Sequence, residues 1–140
     1  MAVQSQPTIE DVIAVAEFRS ALRHFLRRSE KIARQSGLTP QRYMLLLMIK
    51  GAADGSEQST VTELADRMQL AQSTVTELVR RAESAGLVER EQSQRDARVA
   101  HLRLTAEGGR RLLLSFTELD AERAQLRDAF SNLDGGVTGH

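Results

Sequence analysis

Two short stretches gather side chains suited to reading a polar surface. The first is "QSTVTE", residues 72–77, where Gln72, Ser73, Thr74 and Thr76 offer one amide and three hydroxyls around the apolar Val75. The second is "QSQRDARV", residues 92–99, where Arg95 and Arg98 flank Asp96. An amide can make two hydrogen bonds to one planar edge, a hydroxyl both donates and accepts, and a guanidinium seeks phosphate, carboxylate or a negative cleft. This is the chemistry of recognition, not of bond making. The absence of cysteine removes thiolate catalysis, disulfides and iron–sulfur sites, and the three histidines, His24, His101 and His140, are too scattered to suggest a zinc cluster. No nucleophile with a nearby base and no phosphate-cradling glycine loop can be assembled, so the chain reads as a non-enzyme without a cofactor.

The bulk properties bound the rest. Lysine plus arginine and aspartate plus glutamate number 19 each, so any electrostatic attraction to a partner must be local. With 140 residues, 41% of them hydrophobic and 27% charged, one folded domain with a real core is expected. The start, "MAVQSQPTIEDV", has no basic segment leading into an apolar one. No run approaches the roughly 20 apolar residues that cross a bilayer. A cytoplasmic protein without a membrane partner is the expectation.

The elements that position the two stretches follow from periodicity and capping. Residues 8–35 place Ile9, Val12, Ile13, Ala16, Leu22, Phe25, Leu26 and Ile32 at helical spacing, with Thr8 as N-cap and Gly37 as the stop. The other face is basic, with Arg19, Arg23, Arg27, Arg28, Lys31 and Arg34, and is either a phosphate-facing surface or a solvated one. Such a long helix cannot bury its stripe against a small body, so part of it should meet a second chain. "LTPQRYMLLLMI" reads as N-cap Thr39, Pro40 at the first helical position and a dense core helix to about residue 52. "TVTELADRM" is a short helix whose Thr60 and Glu63 have capping-box spacing. After a break at Gln69 and Leu70, residues 72–85 turn Val75, Leu78, Val79 and Ala82 inward and end at Gly86. Residues 87–91 and 99–104 suggest two antiparallel strands around the arginine loop. From N-cap Thr105 a single helix is expected to about residue 130, with Leu112, Phe116, Leu119, Leu126 and Phe130 forming a seam that wants a partner helix. Residues 134–140 are expected to be a disordered tail.

A helix pair joined by a tight turn and followed by a charged hairpin has the parts of a winged helix-turn-helix. In that geometry the second helix enters the major groove of DNA with its first residues at the base edges, and the first helix braces it. Gln72, Ser73, Thr74 and Thr76 suit such a helix start, because glutamine pairs with adenine and hydroxyls reach bases or phosphates. One turn further on, Arg80 is expected to contact the DNA as well, and Arg81 adds charge beside it. Arg95 and Arg98 are long enough to enter a narrow minor groove, while Asp96, repelled by phosphates, would serve to structure the loop.

With those residues in place, the chain resembles the MarR (multiple antibiotic resistance regulator) family of transcription factors. The resemblance runs from about residue 38 to residue 114 and is carried by "LTPQRYMLLLMI", "TVTELADRMQLAQSTVTELVRRAESAGLVER", the Asp-x-Arg of "RDARV" and "LRLTAEG". It implies a mainly α fold with a small β-hairpin wing. The expected parts are a dimerisation helix over 1–37, a winged lobe over 38–104, a second dimerisation helix over 105–133 and a tail over 134–140. It further implies a homodimer on a palindromic operator in double-stranded DNA, usually as a repressor released by a small aromatic or phenolic anion. Thr60 and Thr62 would then face phosphates, and Arg98 would be the minor-groove residue. A ligand between the layers would meet His24, Arg27 and Tyr43. Three departures stand out. Gln69 and Ala71 occupy the turn where the family often has glycine and serine. Glu77 puts a carboxylate into the groove helix, where it either accepts from cytosine or weakens binding. One long helix is expected after the wing, where the family commonly has two. The alternative reading is a winged-helix module that docks protein and does not bind DNA specifically.

Overall fold

The computed structural model describes residues 6–93, 95, 96 and 98–138, with side chains described as far as residue 133. The elements in order are α1 (Ile9–Gln35), α2 (Pro40–Lys50), β1 (Gln58–Ser59), α3 (Val61–Met68), α4 (Gln72–Ser84), β2 (Val88–Gln92), β3 (Ala100–Leu104), α5 (Ala106–Thr117) and α6 (Asp120–Thr138). The expected mainly α winged helix-turn-helix is what forms. The chain divides into two compact units, residues 32–116 and the remainder on either side of it.

The central unit is the winged lobe. Its core joins Leu45, Leu46 and Ile49 of α2, Leu64 of α3, Val75, Val79 and Ala82 of α4, Leu87 and Leu102, all of them buried. The helix starts follow side-chain capping. Thr39 Oγ1 accepts from the Arg42 N–H at 3.1 Å ahead of Pro40. Thr60 Oγ1 accepts from the Glu63 N–H at 3.2 Å while Glu63 accepts from the Thr60 N–H at 2.8 Å, completing the capping box. Gly86, at φ +76°, ends α4 in the left-handed conformation that glycine adopts without a Cβ penalty.

The sheet has three strands, not the expected two. β3 lies between β2 and β1, antiparallel to both, with Glu91 opposite His101 and Ser59 opposite Leu102. A two-residue strand is too short to show alternation in sequence, and its marker is the burial of Ser59.

The segment after the wing is also corrected. Two helices replace the single expected one, broken at Glu118 and Leu119. Leu119 is 1% exposed, and Asp120 and Glu122 place carboxylates in a fresh first turn, favourable at a helix N-terminus. The helix that follows continues to Thr138, past residue 133, where a disordered tail is expected from the sequence. Extending an existing helix costs far less than starting one. Gly139 and His140, the end of that segment, lie outside the described residues.

In the other unit, the early part of α1 and α6 run antiparallel. Phe18 meets Phe130 edge to face with centroids 6.0 Å apart, and Arg28 pairs with Glu122 at 3.6 Å. Ile9, Val12 and Ile13 at the start of α1 remain 66%, 56% and 53% exposed.

The turn between α3 and α4 holds Gln69 and Ala71, and both are costly there. Gln69 has φ +55° and ψ +48°, although its Nε2 donates to the Asp66 carbonyl at 2.7 Å. Ala71 holds N-cap geometry with no side-chain cap. Gln69→Gly and Ala71→Ser are each expected to stabilise by about 1 kcal/mol, raising the unfolding midpoint by about 3 °C. Thermal melts followed by circular dichroism check this, and a fall on either substitution would contradict the cost assigned to that position.

Candidate nucleic-acid interface

α4 presents its first turn to solvent. Gln72, Ser73, Thr74 and Thr76 are exposed, and Val75, fully buried, anchors the turn from beneath. α3 braces α4 through the shared core around Leu64 and Val75. Arg67 Nη1 donates to the Met48 and Gly51 carbonyls, each at 3.1 Å, fastening α3 to the end of α2. No periodicity marks that arginine in sequence. Thr60 and Thr62 stand at the start of α3, Thr62 exposed and Thr60 half-buried as the cap. The Thr60 oxygen accepts from the backbone, which leaves its O–H as a donor.

The wing is built on β2 and β3. Its tip closes where the Ser93 N–H donates to the Val99 carbonyl at 2.9 Å and the Val99 N–H to the Asp96 carbonyl at 3.0 Å. Ser93 Oγ accepts from the N–H groups of Arg95 and Asp96, a role that no sequence signal distinguished. Asp96 Oδ1 takes the Arg98 N–H at 3.0 Å and its Nε at 3.2 Å, so one carboxylate shapes the loop and orients the guanidinium. The Arg98 hydrogen bonds hold the Asp96 carboxyl below its usual range. The Arg98 side chain is 91% exposed, and Arg95 is exposed beside it. Gln94 and Ala97, the remaining residues of that loop, lie outside the described residues.

A second fork joins helix and wing. Arg90 of β2 donates through Nε and Nη2 to Glu83 of α4 at 3.0 and 2.9 Å, fixing the wing base to the end of that helix. Arg80 is engaged within α4. Its Nε donates to Glu77 at 3.0 Å and its Nη2 to the other oxygen, which also accepts from Arg81 Nε at 3.1 Å. The Arg80 hydrogen bonds hold the Glu77 carboxyl down to about 2.

The residues expected to serve a ligand fall differently. His24 Nδ1 lies 2.8 Å from the Ser20 carbonyl of its own helix, and Arg27 is exposed three residues on. Tyr43 is 5% exposed and belongs to the core of the lobe. No helix among the described residues is long and apolar enough to cross a membrane.

An exposed polar helix start, a bracing helix behind it and an arginine-tipped hairpin alongside define a winged helix-turn-helix. Residues 36–99 match the family model described as the MarR family. The fold of the longer chain is that of MarR-type regulators. Wild-type MarR from E. coli in its apo form superposes with a TM-score of 0.65 at 17% identity, covering 89% of this chain and 86% of that one. AbsC, a MarR family transcriptional regulator from Streptomyces coelicolor, gives 0.60 at 23% identity, with 93% and 84% covered. MepR from S. aureus, in a complex with DNA, gives 0.63 at 21% identity, with 79% and 80% covered. No curated protein matches by sequence.

Proposed function

We propose that the protein is a sequence-specific DNA-binding regulator of transcription that acts as a homodimer on an inverted-repeat operator. One observation carries this reading: the exposed polar start of α4 shares a lobe with a wing whose Arg98 is held outward by Asp96. In this reading Gln72, Ser73, Thr74 and Thr76 reach base edges in the major groove. Thr60 and Thr62 meet phosphates, and Arg95 and Arg98 enter the minor groove. The MepR complex with DNA supports it by likeness of fold. The outer helices supply the dimer layer, a role supported by the exposed Ile9, Val12 and Ile13. Repression relieved by a small aromatic or phenolic anion completes the proposal, with His24 and Arg27 as its polar partners.

The test is selection of bound duplexes from a random DNA pool by the purified protein at moderate salt. Recovery of an inverted repeat with half-sites about one helical turn apart is the expected result. A folded protein that enriches no sequence would overturn it. The docking-module reading draws on one observation, that α4 carries as many carboxylates as guanidiniums. Salt separates the two, because contact with several phosphates weakens steeply as ionic strength rises.

A further inference from the structure

A recognition helix usually gains affinity from every cation near the phosphates, whatever the sequence beneath it. α4 is built against that tendency. Its charged residues are Glu77, Arg80, Arg81 and Glu83, and Glu83 is already committed to Arg90. Glu77 lies three and four residues before the two arginines, a spacing that puts all three side chains on one strip of the helix. Both its oxygens are occupied: Arg80 spans the carboxylate with Nε and Nη2, and Arg81 adds Nε at 3.1 Å. A carboxylate accepts about four hydrogen bonds, so with three of its places taken only about one, on Oε1, is left for the amino group of a cytosine. The two alternatives that the sequence left for Glu77 therefore separate, and direct base reading is the weaker one.

We infer that Glu77 is a specificity-determining residue that withholds Arg80 and Arg81 from the phosphate backbone, so that binding by α4 depends on base edges more than on charge. The inference rests on the DNA-binding reading above. An arginine that approaches a phosphate must either leave Glu77 or bring the carboxylate's negative charge with it. The first abandons a forked pair, and the second sets like charges together. Both penalties fall on any duplex. A correct operator offsets them through Gln72, Ser73 and Thr76, and a random duplex does not. With the side chains of Arg80 and Arg81 64% and 63% exposed, the restraint is electrostatic and reversible, not steric.

The test compares wild type with Glu77→Gln, which keeps the side-chain shape and removes the charge. Each protein is titrated with the selected operator and with a scrambled duplex of equal length across a range of salt. For Glu77→Gln, affinity for the scrambled duplex should rise about tenfold, and its log–log salt dependence should steepen by about 1 to 2. Operator affinity should rise less, so the discrimination ratio falls. Adding Arg80→Gln and Arg81→Gln to the variant should return the salt dependence to the wild-type value. Failure to do so would assign the gain to other cations and overturn the inference. An unchanged salt dependence in Glu77→Gln would also overturn it. So would a changed preference at one operator base pair without any gain on scrambled DNA, which would make the carboxylate a direct reader. A wild-type protein that binds no duplex removes this inference together with the reading beneath it, whereas operator binding by wild type with an unaltered variant removes this inference alone.

Discussion

Replacing Gly108 with alanine is expected to lower the unfolding midpoint by about 10 °C, the effect of about 3 kcal/mol of overpacking. A Cβ at Gly108 would sit 2.1 Å from the Leu87 carbonyl oxygen and 3.0 Å from its carbonyl carbon, both backbone atoms that cannot rotate aside. The close approach is set by hydrogen bonds on either side of it. Thr105 N–H donates to that same Leu87 oxygen at 3.0 Å, Thr105 Oγ1 donates to the Gly86 carbonyl at 2.6 Å, and Gly108 N–H donates back to Thr105 Oγ1 at 3.1 Å. Relieving the clash by moving α5 breaks this set, and Leu87 lies in the core. The neighbouring glycine gives the control. A Cβ at Gly109 meets nothing within 4 Å, so Gly109→Ala should stabilise by about 0.5 to 1 kcal/mol through helix propensity alone. Equal melts for the two variants would mean that α5 does not pack against Leu87 in solution.

Arg98→Ala is expected to weaken operator binding by about tenfold to a hundredfold, with the thermal melt unchanged. The side chain is 91% exposed and among the described residues pairs with Asp96 alone, and surface ion pairs of that kind contribute little to folding. Its effect therefore lies in binding. Asp96→Ala should produce a comparable loss with the arginine still present, because Asp96 accepts both the Arg98 backbone N–H and its guanidinium. Fluorescence anisotropy of a labelled operator duplex measures both, and an unchanged affinity for Arg98→Ala at physiological salt would remove the wing from the mechanism.

The parts legible in the sequence were those with a strong local signal. Thr39 and Pro40, the Thr60 and Glu63 capping box, and Gly86 mark helix ends by chemistry that acts within a few residues, and each is found in its expected place. The inward set of Val75, Val79 and Ala82 follows from helical period in the same way. What escaped was decided over distance. β1 exists because Gln58 and Ser59 pair with Arg103 and Leu102, more than forty residues away. The break before Asp120 carries no glycine or proline, and the apolar repeat running through it concealed the second helix start. Of that apolar repeat, Leu112 and Leu119 are buried within the chain, whereas Phe116 and Phe130 are 41% and 61% exposed. At the interface, residue types identified the polar helix start. They did not reveal that Ser93 structures the wing tip or that Glu77 engages both arginines, because those facts depend on rotamers and hydrogen-bond partners.

The strand order has a consequence for solubility. With β3 in the centre, β2 is an edge strand, and among the described residues no strand pairs with its outer side. An open strand of this kind is a template on which another extended chain can add, the first step toward aggregates. Here four of its five residues, Glu89 to Gln92, are exposed, and three of them are charged. A second copy brought alongside would set Glu89 and Glu91 against like charges with no core to gain. The same residues that let the wing stand in solvent thus keep it from becoming the seed of a larger sheet when many copies crowd together.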